Sequence, residues 1–505
     1  MKWVTLVCLL GCSSAPRTAS PPPATAPGLV YQVFVRSFQD SNGDGNGDLT
    51  GLLQRLDTIQ DGQPGGDDLG AGALWLMPIH PSPSYHGYDV TDFRDVHPDY
   101  GNLQQVDALL SAAHARGMRV YLDLVLNHTS SEHPWFRDAA AGGSRRGWYR
   151  WRKDNPGWKQ PWNVNGDVWH PLGAEMYYAL FWKGMPDLNY ANPQVVEELT
   201  GVARFWLRRG VDGFRIDAAR HIVESDAGVL VDQPATHAFF KAYRKSLEAV
   251  RKDVTLIAEA WADRPSVNAY FGNGDEFHQA FDFDLAQAVV WSVGGEHAGG
   301  VREQVARIQA SGVPWSYEAT FLSNHDLERL ASRLPSSEAA KAALSVLLAL
   351  PGTPFIYAGD ELGVLQGSGP GDEPKRTPMP WDATGGFTTG KPWFPYSADM
   401  AVRNRSSQLE DPASLLRHVQ WLVQTRQAHP AFADDSVQLP SSEQDEVLPV
   451  IRGRGAAMVM LIINLSAEPV GGVHLKLPSQ TGSGVVDWTL DGTLPPYGTR
   501  LIMRW

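Results

Sequence analysis

Cysteine is almost missing: Cys8 and Cys12 are the only two in 505 residues, and both fall within the first twelve positions. The rest of the chain can therefore hold no disulfide and no thiolate nucleophile or metal ligand. Positive charge is also scarce. Forty-three Lys and Arg stand against 56 Asp and Glu, a net charge of −13, which argues against the basic face that nucleic acid requires. No apolar run is long enough to span a bilayer as a helix, and no internal repeat is visible. What remains is the composition of a soluble globular protein, 43% hydrophobic and 20% charged. Its length exceeds one ordinary core, so two or three domains are expected, one of them large. Tryptophan is abundant, with 18 residues. Indoles fill cores, but their flat faces also stack on sugar rings.

Residues 1–12 hold one Lys, a short apolar run and Leu9-Leu-Gly-Cys12. This resembles a bacterial lipoprotein signal, with Cys12 as the lipidated mature N-terminus. Residues 13–28, rich in Ser, Pro, Ala and Thr, read as a disordered tether. The expected location is extracytoplasmic: anchored by lipid to the cell envelope, at the outer membrane if the host is Gram-negative, or secreted.

From Leu29 short apolar runs alternate with amphipathic stretches. Strands are predicted at 30–38, 73–79, 119–127, 213–217, 255–259, 280–285, 320–324 and 354–358. Helical patterns lie at 103–116, 195–209, 235–251, 301–310, 339–350 and 414–428. Eight strand-then-helix units point to an α/β fold, a (β/α)8 TIM barrel. The barrel domain is drawn as 29–128 and 191–430, interrupted by an inserted domain at 129–190 that is rich in Trp, Gly, Pro and Asn without a clean period. Such an insertion beside the C-terminal face usually helps build the site. Alternating short runs across 431–505 predict a C-terminal all-β sandwich domain.

Active-site groups of such barrels come from the C-terminal ends of strands. Polar residues gather there: Asp123, Asn127 and His128 on the third strand, Arg215 and Asp217 on the fourth, Glu259 on the fifth, His325 and Asp326 after the seventh. An Arg and an Asp on a strand that should be nearly all apolar need a purpose. Asp217, beside the Arg215 guanidinium, is expected to stay ionised as a nucleophile. Glu259, in the apolar frame Leu-Ile-Ala-Glu-Ala-Trp, is expected to have a raised pKa and to act as acid/base. Two such carboxylates across a cleft suit glycoside hydrolysis, with Asp326 as a third group holding sugar hydroxyls.

The regions Asp123-Leu-Val-Leu-Asn-His128, Gly213-Phe-Arg-Ile-Asp217, Glu259-Ala-Trp261 and Ser323-Asn-His-Asp326 occur in order, after Gly87-Tyr-Asp89. In these the chain resembles the α-amylase family of retaining glycoside hydrolases, glycoside hydrolase family 13. The resemblance implies Asp217 as nucleophile, Glu259 as general acid/base and Asp326 as transition-state stabiliser. It makes Tyr88 a stacking platform and His128, Arg215 and His325 contacts of the sugar before the scissile bond. Met185-Pro-Asp-Leu-Asn189 resembles the branch intermediate between oligo-1,6-glucosidases and neopullulanases. Ala218 and the pair Arg220-His221 resemble α-1,4-specific members, with Arg220 and His221 on the leaving-group side and Trp261 as a further substrate-binding residue. Arg376-Thr-Pro-Met-Pro-Trp381 resembles the glucosidase side instead. The implied activity is internal cleavage of α-1,4-glucans or maltooligosaccharides by a monomer. The alternatives are a cyclomaltodextrinase or exo-acting α-glucosidase with transglycosylation, and a non-catalytic maltodextrin-binding lipoprotein.

Asp40-Ser-Asn-Gly-Asp-Gly-Asn-Gly-Asp48 places oxygen side chains at every second position. Ca²⁺ wants six to eight oxygens, and glycines let a loop wrap tightly. Side chains of Asp40, Asn42, Asp44 and Asp48 and the carbonyl of Asn46 are the expected ligands. Gly51 stands where an EF-hand has its Glu. The family resemblance implies a second calcium at Asn127, Asp187 and the His221 carbonyl.

Overall fold

Eight short parallel strands close into a barrel: β1 (Val30–Val33), β2 (Ala73–Leu76), β3 (Arg119–Leu124), β4 (Gly213–Ile216), β5 (Thr255–Ala258), β6 (Gln279–Phe281), β7 (Glu318–Thr320) and β8 (Thr353–Tyr357). Each pairs with its neighbour in sequence, and β8 pairs with β1. The computed structural model describes residues 28–505 apart from 64 and 480–483. The expected signal at 1–12, both cysteines, and the tether up to residue 27 lie outside the described residues. Among the described residues no helix is long and apolar enough to cross a membrane.

Alternation along the strands builds two cores. Val30, Ala73, Trp75, Tyr121, Ile257, Phe281, Ala319 and Phe355 fill the barrel interior. Their neighbours Tyr31, Leu74, Val120, Leu122, Phe214, Leu256 and Ile356 pack outward against the helices. The helices are set by local chemistry. Asn102 and Gln105 form a capping box at the start of Leu103–Ala115. Pro193–Arg209 begins under the Asn192 cap and stops at Gly210, which is left-handed at φ 115°.

Seven of the eight predicted strands are shorter in the structure, and three of them show why. The first ends at Val33, because a 3-10 turn follows at Val35–Ser37. The sixth ends at Phe281. Asp282 then accepts from the Leu285 amide at 2.9 Å and caps a helix, Phe283–Gly294, whose apolar residues repeat at helical rather than strand spacing. The seventh is Glu318–Thr320, which leaves 321–326 as a site-bearing loop.

Between β3 and Pro193–Arg209 the chain forms a small antiparallel sheet of Trp151–Arg152, Glu175–Tyr178 and Trp169–Leu172, and a hairpin of Lys159–Gln160 with Asn163–Asp167. After the helix Leu415–Ala428 comes a four-stranded sheet, Val437–Gln438, Val447–Arg452, Val459–Asn464 and Thr499–Ile502. Two smaller strand pairs cover one face of it, closing a core of Val447, Met460, Ile462, Leu475, Leu477 and Leu494.

One buried arginine joins this sheet to the barrel. Arg452 donates to the carbonyls of Ala349 (2.8 Å), Phe432 (3.1 Å), Asp434 (2.6 Å) and Ser436 (3.0 Å). Burial, then the nearby Arg426, pull its pKa down to about 9, so at neutral pH a charge is held in the interior by carbonyl dipoles. Arg452→Met would strand these acceptors, and we expect a loss of about 3 kcal/mol, measured as a lower urea midpoint by Trp fluorescence.

Candidate active site

At the C-terminal mouth of the barrel one guanidinium holds three carboxylates. Arg215 Nη1 lies 2.8 Å from Asp123 Oδ1 and 2.8 Å from Asp217 Oδ1, and Nη2 lies 2.9 Å from Glu259 Oε2. Strand register brings them there. Asp123 is the β3 partner of Arg215, and Ile257, two residues before Glu259, is its β5 partner. Glu259 Oε2 also accepts from the Ala218 amide at 2.9 Å. Ala218 is left-handed, φ 48°, a conformation that costs a non-glycine residue of order 1 kcal/mol and would cost a branched one more.

The electrostatics differ from the sequence expectation in one respect. Burial raises the pKa of Glu259, as expected, but it raises Asp217 as well. Burial also lifts Asp123 to about 7. The physical reason is sharing: one positive charge lowers each of three buried carboxyls without offsetting the desolvation of all three. Asp326 is the exception. Burial pushes it up, but the His325 ring at 3.0 Å and Arg376 Nη2 at 3.1 Å hold it well below the usual carboxylate range. Burial drives His325 itself toward the neutral form, which makes Arg376 the permanent charge on Asp326.

A cavity of about 350 Å³ opens above these groups, lined by Tyr88, His128, Trp182, Asp217, Glu259 and Asp326 among others. Tyr88 stacks on His325 (ring centres 5.4 Å apart) and donates to Asp123 Oδ2 at 3.0 Å. His128 Nε2 lies 3.1 Å from the Tyr88 carbonyl, and burial lowers its pKa to about 4. Beyond Glu259 lies a second, more apolar lobe of about 590 Å³, lined by Trp162, Phe181, Ala218, Arg220, His221 and Trp261. Glu259 and Phe181 line both lobes. Trp261 lies flat on Phe283, ring centres 4.5 Å apart, and leaves 59% of its surface exposed. Arg220 lines this lobe with its guanidinium already engaged by Asp232 and by the Trp261 carbonyl at 2.5 Å. His221 holds the Leu230 carbonyl at 3.1 Å, and burial keeps its pKa near 4.

The expected metal residues behave in two ways. In the 40–48 loop the carboxylates turn back on their own backbone. Asp40 accepts from the amides of Asn42, Gly43 and Gly45, Asp48 from those of Ser41 and Gly51, and Asp44 from that of Asn46. Only Asn46 has its side-chain oxygen taken by a cation, Arg36. Among the described residues no three acidic, His or Cys side chains converge as metal ligands. Three carboxylates and two amides within nine residues, wrapped through left-handed Gly43 and Gly45, still fit a calcium donor set. In the second set Asn127 Nδ2 and the Leu180 amide donate to the Asp187 carboxylate, each at 2.9 Å, and the His221 ring holds the Leu230 carbonyl.

Sequence reasoning missed His86, Trp162, Phe181, Trp182, Asp372 and Arg376 as cavity residues. Trp162, Phe181 and Trp182 come from the aperiodic insertion, where aromatic density was the only signal. Arg376 begins a segment noted for its resemblance but not placed in the site.

Comparison with known proteins identifies the family. Residues 32–435 match the α-amylase catalytic-domain family. The chain is 34% identical over 446 residues to α-amylase 3 of Dictyoglomus thermophilum, covering 87% of this chain and 84% of that one. It is 33% identical to a trehalose synthase/amylase, TreS, of Mycobacterium tuberculosis, covering 93% and 86%. Among solved structures, an α-amylase from H. orenii superposes with a TM-score of 0.82 at 34% identity, covering 94% and 98%.

Replacing Arg215 by Met should cost about 3–5 kcal/mol at pH 7.5, since it leaves buried carboxylates without a counter-charge. Without the guanidinium their folded pKa values rise further above the unfolded ones, so the deficit should shrink as pH falls and they take up protons. Urea unfolding at pH 7.5 and 4.5 measures this; equal deficits at the two pH values would contradict it.

Proposed function

The chain belongs to the α-amylase family, glycoside hydrolase family 13, and within it we propose that it cleaves internal α-1,4 bonds of starch-type glucans and maltooligosaccharides with retention. One observation carries the reading: Asp217 and Glu259 sit on adjacent nitrogens of Arg215, and the cleft continues past Glu259 into a second lobe. Carboxyls gathered on one guanidinium suit the double displacement, in which one carboxylate attacks and its neighbour moves the proton. The Asp217 carboxylate attacks the anomeric carbon of the sugar in the inner lobe. The glycosidic bond breaks, and its electron pair goes to the leaving oxygen, which takes the Glu259 proton. The Glu259 carboxylate then draws a proton from water as its oxygen displaces Asp217. Glu259 lines both lobes, as an acid at the leaving oxygen must, whereas Asp217 lines only the inner one. Asp326, held ionised by Arg376, accepts from sugar hydroxyls and favours the positive charge that develops on the ring. Tyr88 and His128 line the space for that sugar, whereas His325, expected as a third contact, is buried behind Tyr88 and acts on Asp326. Trp261 offers a face to the departing one, with Arg220 and His221 in the wall beside it.

A second reading is exo action on short maltooligosaccharides, in the manner of an α-glucosidase or cyclomaltodextrinase, with transglycosylation. It is favoured by the inner lobe's charged wall, where Arg376 and Asp372 stand beside Asp326 and Lys375 binds the Asp326 carbonyl at 2.8 Å. Such a wall shortens the room for a chain running on past the first sugar.

The 40–48 loop is the place for a structural calcium, held by side chains of Asp40, Asn42, Asp44 and Asp48 and by the Asn46 carbonyl. The ion would supply positive charge that rigidifies the first strand-to-helix connection.

A maltoheptaose blocked at its non-reducing end decides the mode of action by chromatography. Mid-length fragments are expected; survival of the blocked sugar while maltotriose or γ-cyclodextrin is cut would favour the second reading. Asp217→Asn should abolish turnover. Glu259→Gln should slow maltooligosaccharide cleavage by about 10²–10⁴, and far less for a fluoride leaving group that needs no proton. Chelation should lower the melting temperature by several degrees, matching about 3 kcal/mol of linkage at a hundredfold excess over Kd. Asp44→Asn should blunt that response.

A further inference from the structure

The outer lobe has a wall that is braced from behind. Arg220 follows the end of β4, and the chain returns to it at Asp232. The Asp232 amide donates to the Arg220 carbonyl at 3.1 Å. In return Arg220 Nε donates to Asp232 Oδ1 at 3.0 Å and Nη2 donates to Oδ2, a two-point pair. The Tyr270 hydroxyl donates to the same Oδ1 at 2.8 Å. Burial pushes the Asp232 carboxyl up, but Arg220 and the Tyr270 hydroxyl hold it below the usual range. Asp232 is left-handed, φ 54°, a region that Asp and Asn enter more readily than other residues with a side chain.

The brace reaches the cleft through the third guanidinium nitrogen. Arg220 Nη1 donates to the Trp261 carbonyl at 2.5 Å, while the Trp261 ring lies on Phe283. Trp261 is therefore held by its backbone on one side and by its indole on the other, and most of its surface is still open to the lobe and to solvent. Asp232 and Tyr270 line neither lobe. An aromatic face fixed before a sugar arrives costs less ordering when the sugar binds. Without its carboxylate the guanidinium would regain the freedom of a long side chain and release the Trp261 carbonyl.

We propose, resting on the function given above, that Asp232 is a positioning residue of the outer lobe: through Arg220 it fixes the Trp261 face on which the leaving sugar, and then an acceptor sugar, lies. The brace thereby sets how well a sugar competes with water for the covalent intermediate. In transfer the acceptor hydroxyl oxygen bonds to the anomeric carbon. The bond to Asp217 breaks and its electron pair returns to the carboxylate, while the hydroxyl proton passes to the Glu259 carboxylate. Water reacts in the same way but needs no aromatic platform.

The test compares two donors on the full chain. α-Glucosyl fluoride fills only the inner lobe, whereas maltoheptaose needs both. Asp232→Asn keeps a residue that tolerates the left-handed turn but presents an amide N–H to Arg220 in place of one oxygen. In this variant kcat/KM for maltoheptaose should fall about tenfold while that for the fluoride stays within about twofold. With the fluoride as donor and maltose as acceptor, the ratio of transfer to hydrolysis, read by chromatography, should fall about fivefold. Tyr270→Phe keeps its ring against His237 and should shift the donor ratio in the same direction, by about threefold. Equal losses on the two donors, or no loss on either, would overturn the proposal. Should Asp232→Asn fail to fold, Tyr270→Phe decides, and an unchanged donor ratio in it overturns the assignment. A wild type that turns over neither donor gives a different result: the function proposed above falls, and the role of Asp232 with it.

Discussion

A single guanidinium, buried to 1% exposure, touches Asp123, Asp217 and Glu259 at once. One positive charge among three buried carboxyls leaves the cluster short of counter-charge, and burial then favours their neutral forms. That is why Asp123 and Glu259, and Asp217 with them, all have pKa values above their usual range. A site that must carry a protonated acid and an ionised nucleophile side by side gains from this arrangement, because the group that keeps the proton can change as the reaction proceeds. The parallel barrel is what makes the sharing possible. It places Asp123, Arg215 and Ile257 at one level on three adjacent strands, and no local segment could bring those carboxyls to one cation.

The chain's periodicity was readable because it is local. Alternating strand residues and 3.6-spaced helix residues report their environment within a few positions, and the barrel followed from them. The errors fell where a local signal had two meanings. The run at 280–285 is apolar enough for a strand, but Asp282 caps a helix within it. Site residues at strand ends were legible because the fold puts strand ends together. Residues on loops were not, since what a loop side chain meets depends on partners far away in sequence. Arg220 is the example: it lies in the expected lobe, but Asp232 and a carbonyl already hold its guanidinium. The same limit applies to Asp217, whose pKa was read from one neighbour when three carboxyls share that neighbour.

The two acidic stretches singled out for metal differ in what surrounds their oxygens. In the 40–48 loop the carboxylates accept from amides and hydroxyls, neutral donors that exchange readily for an ion. At Asp187 the donors are the Asn127 side-chain amide and the Leu180 backbone amide, and the nearby Arg150 guanidinium is held by Glu224 and Asp226 instead. Ligand-type residues at suggestive positions therefore do not by themselves mark a metal site. Which donors meet each oxygen is set by distant partners such as Leu180, whose position no spacing rule gives.

The cleft's two lobes are unlike, and the difference bears on which bond is cut. The inner lobe is walled by charged and polar groups, Asp217, Glu259, Asp326, Asp372 and Arg376, with His86, Tyr88 and His128. Hydrogen bonds of that density fix one ring by its hydroxyls and tolerate little change in it. The outer lobe presents Trp162, Phe181 and Trp261 with few polar groups. Apolar faces grip a sugar ring without reading each hydroxyl, so they constrain its plane more than its linkage. On the mechanism proposed above, the identity of the sugar bonded to Asp217 would be set tightly, while the group leaving past Glu259 would be set loosely. Alpha-amylase, glucosidase and transferase behaviour can then share one catalytic cluster. On that mechanism, what would separate them is how far the inner wall at Arg376 and Asp372 closes, and how firmly the indoles of the outer lobe hold a sugar in competition with water.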